Sequence, residues 1–188
     1  MKQYRHQLSQ YIIWILIPLI PFTFILAGYK LMQSFSHPTL YKDEIIAVSS
    51  EYNIPPAIIA SIINAESSYR ANARSNKGAC GLMQIKVSTA NYIAEQQHLN
   101  TISESDLYDA TTNIKYGTLY LKYLINKFTV LDTALAAYNA GETIVRSWLN
   151  NGINSIDGKN LSYIPYAETR EYMVKIQNNM KFYAKIYK

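Results

Sequence analysis

The chain has 188 residues, enough for one domain and a short appendage, with 49% hydrophobic and 16% charged residues, so it can bury a real core and is not a disordered segment. A net charge of +5 without a dense Lys/Arg cluster excludes a protein that follows a phosphate backbone, although a mild positive bias suits an anionic surface or polymer. One cysteine (Cys80) excludes an internal disulfide, and three scattered histidines (His6, His37, His98) have neither metal-ligand nor triad spacing, so chemistry must rest on carboxylates, hydroxyls and amides, with no metal and no cofactor expected.

The N-terminal stretch from Gln7 to Tyr29 carries no charge, and Tyr11 to Ala27 is almost wholly apolar. A membrane span needs about 20 such residues. Lys2, Arg5 and His6 precede the run, which places residues 1–10 in the cytoplasm and exports the rest of the chain. Pro18 and Pro21 are tolerable kinks in a membrane helix. The expectation is a single-pass signal-anchor over 11–29 and a tether over 30–40. The competing reading is a signal peptide cleaved after Ile25-Leu26-Ala27. Either one puts residues 41–188 outside the cytoplasm.

Beyond the tether the sequence reads as helices. Tyr41 to Tyr52 is amphipathic through Ile45, Val48 and Tyr52. Pro55-Pro56 suits a first helical turn, and Ile58, Ile59, Ile62 and Ile63 then form an apolar stripe. Ser67 to Ile85 reads as a polar, Gly-containing loop; Thr89 to Gln97, Ala110 to Phe128, Leu131 to Tyr138, Glu142 to Leu149 and Tyr166 to Tyr187 read as further helices. No run alternates with period two, so no sheet is expected and the fold class is all-α. Most of the seventeen tyrosines are expected along the core edge of helices, with some free to line a groove.

Glu66 lies four residues after Ile62 and continues the apolar stripe. Desolvation there raises a carboxyl pKa toward what a general acid near neutral pH requires. A glutamate at a helix end can equally bend out to solvent, and the neighbouring residues weigh between the two. Nine positions beyond the end of Ala65-Glu66-Ser67-Ser68-Tyr69 comes the turn Gly78-Ala79-Cys80-Gly81-Leu82-Met83-Gln84, whose glycines let backbone pass close to a ligand. Gln84 can offer an amide and Met83 a flexible apolar wall, or Met83 can simply fill core. Tyr138 and Asn139 project from a helix end near Gly141. Glu168 and Arg170 open the last helix, where charge compensation and a surface ion pair would explain them equally. Glu95, Glu104, Asp106 and Asp109 fall in polar stretches and read as solvated.

Taken in order, these blocks resemble the soluble-type (SLT) lytic transglycosylases, which share the goose-type lysozyme fold. The stretch AESSYRANARSNKGACGLMQI, then NIKYGTLYL, ALAAYNAG and IPYAETREY, follow the family pattern from about Tyr41 to Tyr187. The resemblance implies a compact lysozyme-like (goose-type) helical domain that cuts the β-1,4 bond between N-acetylmuramic acid and N-acetylglucosamine in peptidoglycan without water, leaving a 1,6-anhydro end. It implies Glu66 as the single acid/base, with the substrate's N-acetyl group supplying the intermediate, so that the usual second carboxylate is not needed. Carried over as substrate-binding residues are Ser67, Ser75, Met83, Gln84, Tyr138, Asn139 and Glu168. Tyr138 is expected to hydrogen-bond Glu66 or the acetamido group, and Ser67 to support the helix end. The expected partners are peptidoglycan strands and, through the N-terminal helix, a membrane; the chain is expected to be monomeric and not to bind nucleic acid. Where the family pattern continues Met-Pro, this chain has Lys86-Val87-Ser88. A lysozyme-like muramidase on the same fold and a non-catalytic peptidoglycan-binding scaffold are the alternatives.

Overall fold

The structure is a computed structural model that describes Phe24, Ile25, Gly28, Met32 and residues 38–188. The expected membrane segment over 11–29 and the tether over 30–40 fall mainly outside the described residues; among those described, no helix is long and apolar enough to cross a membrane. Thr39–Lys188 forms one compact unit.

Helix α1 (Lys42–Tyr52) begins with Asp43 and Glu44 at its positive end and stops at Asn53, whose left-handed φ of 56° caps it. Pro55-Pro56 starts α2 (Pro56–Ser67) as expected, and Ile58 through Asn64 are all buried. A helix buried nearly all round belongs at the centre. Each fully buried isoleucine there contributes about 1.5–3 kcal/mol from apolar burial. Helix α3 (Val87–Gln96) follows a loop, and α4 (Ala110–Phe128) opens with the Asp109 carboxylate accepting from Thr112 N at 2.8 Å. Then come α5 (Leu131–Ala140), α6 (Glu142–Leu149) and the long α7 (Ala167–Ile186).

The most extensive helix packing is α2 against α7, with α4 against α5 next. Asn179 donates from α7 to the Ser61 carbonyl of α2 at 3.2 Å. The main core gathers Ile59, Ile62, Ile114, Leu121, Leu135, Val145 and Ile176. A smaller cluster of Cys80, Ile85, Ala90, Ala94, Leu107 and Tyr116 lies under the Gly-containing loop. The tyrosines divide: Tyr69, Tyr116, Tyr172 and Tyr183 are buried, Tyr120, Tyr123 and Tyr138 are half-buried, and Tyr92 is exposed.

The expectation of no sheet needs correcting. Ala79–Cys80 (β1) and Ile85–Lys86 (β2) pair antiparallel, Ala79 opposite Lys86 and Cys80 opposite Ile85. Strands of two residues cannot show an alternating pattern, so periodicity has nothing to detect. A one-turn 3-10 helix, Ser105–Tyr108, is likewise absent from the periodicity reading.

Candidate active site

Glu66 is the penultimate residue of α2, and the chain turns sharply after it: Ser68 and Tyr69 are both left-handed, with φ 51° and 64°. Ser67 is buried and its hydroxyl lies 2.8 Å from the Leu82 carbonyl and 3.1 Å from that of Ile63. The helix end is thereby fastened to the turn of the hairpin. Asn113, buried on α4, braces the same turn: its amide nitrogen donates to Cys80 O (2.9 Å) and Leu107 O (2.8 Å), while its oxygen accepts from Met83 N (2.7 Å). Gly81 has φ +76°, and a Cβ there would stand 2.1 Å from Asn113 Nδ2, so glycine is required.

Two cavities meet at Glu66. One, of about 400 Å³, is lined by Ser75, Gln84, Tyr120, Tyr138, Asn139 and Glu168 among others. The other, of about 680 Å³, is lined by Arg70 to Ser75 and Gln84. Glu66, Ser75 and Gln84 belong to both, so the two are halves of one groove with the acid at their junction.

Glu66 keeps part of its surface open to this groove but is closely surrounded by protein. Burial raises its pKa from the ordinary carboxylate value to about 7. The Tyr172 hydroxyl and then the Lys175 ammonium oppose that rise, and the Glu168 carboxylate adds to it. Tyr172 reaches Glu66 from α7 with a buried hydroxyl that forms no hydrogen bond at normal length, yet stands close enough to favour the carboxylate. Lys175 donates to the Ala65 carbonyl at 2.9 Å, capping the C-terminal end of α2 beside the acid.

The residues expected around Glu66 are not all brought to the groove. Ser75, Gln84, Tyr138, Asn139 and Glu168 line it. Met83 does not: its side chain is fully buried against Gly117 and Thr118, so the core-packing reading of this residue holds for the side chain. Ser67 is also spent inside the protein. Tyr138 donates to the Met83 carbonyl at 2.9 Å, not to Glu66. The Gln84 amide nitrogen is committed to Ala73 O (3.1 Å) and Gly81 O (2.8 Å). Asn139 accepts from Thr169 at 2.8 Å, which fixes it to the start of α7. Arg170 makes no surface ion pair among the described residues; it donates to Ile164 O (2.7 Å) and Pro165 O (2.8 Å) and clamps the entry to α7. Glu95, Glu104, Asp106 and Asp109 are exposed, and Glu104 pairs with Arg74 at 2.9 Å. Sequence reasoning gave no role to Tyr172, Lys175 or Tyr120. Tyr172 closes the IPYAETREY block, which was the one available signal. Among the described residues no group of three His, Cys, Asp or Glu could hold a metal.

A buried acid about half protonated at neutral pH, at the midpoint of a polar and aromatic groove, defines a helical domain equipped for proton transfer to a bound ligand. The chain belongs to the Transglycosylase SLT domain family, whose pattern it matches over residues 43–159. It is 35% identical over 142 residues to the soluble lytic murein transglycosylase of Escherichia coli K12, covering 74% of this chain and 22% of that protein. It is 30% identical over 168 residues to the membrane-bound lytic murein transglycosylase C of Edwardsiella ictaluri, covering 78% of this chain and 47% of that protein. Among solved structures it resembles the 70 kDa soluble lytic transglycosylase of Escherichia coli with a TM-score of 0.72 and 30% identity, over 84% of this chain and 26% of that one. The mostly helical fold is shared with that enzyme. The chain spans about a fifth of the length of the soluble relatives and about half that of the membrane-bound one.

Proposed function

We propose that this chain is a peptidoglycan lytic transglycosylase with Glu66 as its single acid/base. The observation that carries the reading is the position of Glu66 at the junction of the two halves of the groove, with burial holding its pKa at about 7. A glycan strand threaded along the groove presents its scissile oxygen to a carboxylic acid that still has its proton. Glu66 donates that proton to the glycosidic oxygen as the bond to the anomeric carbon breaks, and the N-acetyl group of the muramoyl residue closes on that carbon. The Glu66 carboxylate then takes the proton of the C6 hydroxyl as its oxygen attacks the anomeric carbon and displaces the acetamido oxygen. The products are a free 4-hydroxyl and a 1,6-anhydromuramoyl end; no water is consumed, and Glu66 finishes protonated. Ser75, Gln84, Tyr138 and Asn139 are the groove residues that hold the sugars, and Glu168 is a supporting residue at the rim. The names of the relatives, lytic murein transglycosylases both soluble and membrane-bound, support the reaction and the substrate.

One observation favours a second reading. Glu168 lines the same cavity as Glu66, so a carboxylate is at hand to activate water, as a hydrolysing muramidase would require. The product end separates the two. The full chain, in mild detergent, is incubated with purified peptidoglycan and the products are weighed by mass spectrometry, with Glu66→Gln as the blank. Muropeptides one water lighter than hydrolysed ones establish the transglycosylase. Reducing ends make it a muramidase, and no Glu66-dependent product leaves a binding scaffold.

The apolar run over 11–29 and the preceding Lys2, Arg5 and His6 support an uncleaved anchor that tethers the catalytic domain, residues 41–188, outside the cytoplasm. Protease treatment of intact spheroplasts, which should degrade the domain and leave it undegraded only if it is cytoplasmic, tests that arrangement.

A further inference from the structure

The connection from α6 to α7 carries the two most exposed large hydrophobic side chains among the described residues, Ile153 at 80% and Ile156 at 88%. A single apolar residue on a surface needs no explanation, but these two stand on a loop whose backbone is held in one shape. Asn154 and Ser155 between them are buried. The Asn154 carbonyl accepts from Ser162 N (2.8 Å) and Tyr163 N (3.2 Å), and the Asn151 carbonyl from Asn154 N (2.9 Å) and Ser155 N (3.0 Å). Thr133 on α5 donates to the Lys159 carbonyl at 2.7 Å. The Asp157 carboxylate turns back on its own loop and accepts from Asn160 N (2.7 Å), Asn160 Nδ2 (2.6 Å) and Lys159 N (2.9 Å). Between Leu149 and Glu168 the charged residues are Asp157 and Lys159 alone, so the loop is neutral as a whole. Tyr163, bonded through its backbone beside the isoleucines, and Tyr166 are exposed, and the Arg170 guanidinium lies 5.8 Å from the Tyr163 ring. Apolar tips with tyrosine and basic groups at their margin suit a lipid headgroup layer, where the tips enter and the amphipathic side chains stay at the polar level.

The length of chain between the apolar run and the domain says which surface is at hand. Residues 30–40, fully extended, reach about 40 Å at most. A unit the size of Thr39–Lys188 is itself roughly 40 Å across. With the run over 11–29 inserted as proposed, the domain is held within about one of its own diameters of the bilayer. We infer that the loop carrying Ile153 and Ile156 docks on the lipid bilayer that the anchor enters, giving the domain a second, reversible membrane contact. The inference rests on the proposed anchor. Two isoleucines are too few to bind a free protein to a membrane, but tethering makes the contact intramolecular, and a small apolar area then suffices. Glu168 on the groove rim lies at the start of α7, where this loop ends, so the contact also sets how far the groove stands from the bilayer.

The test uses the full chain in vesicles of phosphatidylethanolamine and phosphatidylglycerol, with a polar fluorophore on Ser162→Cys, an exposed position whose backbone pairs with Asn154. Both isoleucines stay in place, and Cys80 is buried, so the label goes to residue 162. Glu95→Cys, at an exposed position on α3, is the control. Spin-labelled lipid should quench the label at 162 but not at 95, and iodide, present on both sides of the bilayer, should do the reverse. Ile153→Ser/Ile156→Ser in the labelled chain should shift the ratio of docked to undocked loop about tenfold or more toward undocked. Equal lipid quenching at 162 and 95, or lipid quenching that survives the double serine variant, overturns the inference. So does shielding of 162 from iodide without lipid quenching, which would mean that a protein covers the loop, a second copy or another partner. Carbonate extraction of the same vesicles reports the anchor separately. An extractable chain sinks the anchor and this inference together, whereas a resistant chain without lipid quenching at 162 sinks this inference alone.

Discussion

The Tyr138 hydroxyl donates to the Met83 carbonyl at 2.9 Å, joining the end of α5 to the hairpin turn across 55 positions of sequence. That bond fixes the two walls of the groove to each other. It also commits the Tyr138 proton elsewhere, and leaves Tyr172 as the hydroxyl that bears on the Glu66 carboxyl.

Tyr172→Phe removes a group that favours the ionised form of Glu66, so the pKa of the acid should rise above about 7. The protonated acid starts the reaction, and activity falls as pH rises through that pKa. The alkaline limb of the kcat profile should therefore move to higher pH in the variant. Because the hydroxyl is buried without a formed hydrogen bond, its loss should cost little stability. Lys175→Met should shift the limb in the same direction. A limb that stays in place in both variants would show that neither group acts on the acid.

Glu66 also makes stability depend on pH. Between the ordinary carboxyl value of 4.5 and about 7, the folded protein holds a proton that the unfolded chain has released, so stability falls as pH rises through this window. By pH 8 the loss amounts to something on the order of 3 kcal/mol. Glu66→Gln avoids it, and should melt about 5 °C or more above the parent at pH 8 while matching it at pH 4. Calorimetry at the two pH values checks this, and equal melting temperatures at pH 8 would contradict the raised pKa.

Gly81→Ala should cost about 2–4 kcal/mol, since its Cβ would meet Asn113 Nδ2 at 2.1 Å and Leu107 O at 2.3 Å. Gly78→Ala is the matched control: φ is +78° but nothing lies within 4 Å, so only the backbone penalty of about 1 kcal/mol applies. Urea unfolding of the pair separates steric contact from conformational strain.

Ser67→Ala should lower stability by about 1–2 kcal/mol through the orphaned Leu82 carbonyl, and leave saccharide affinity unchanged when measured in a Glu66→Gln background. Weaker sugar binding without loss of stability would return Ser67 to the groove.

Local pattern alone accounts for much of this molecule. Helix spacing, Pro55-Pro56 and the lack of alternating runs were enough to anticipate the main helices, several to the residue or nearly so: Ala110–Phe128 and Glu142–Leu149 begin and end where the periodicity places them. The isoleucine stripe also put Glu66 on the buried side of α2, because facing at i and i+4 is a property of the helix itself. What the tertiary structure decided is the company each side chain keeps. Nothing local says that Asn113 reaches back 30 residues to brace the hairpin, that Met83 fills a gap over Gly117, or that Tyr172 and Lys175 arrive beside Glu66 from a helix about 110 residues away in the chain. The two-residue strands are themselves a product of those contacts. Helical periodicity is written in neighbouring residues, whereas the desolvation and long-range hydrogen bonds that set the acid's proton affinity arise only when distant segments pack together.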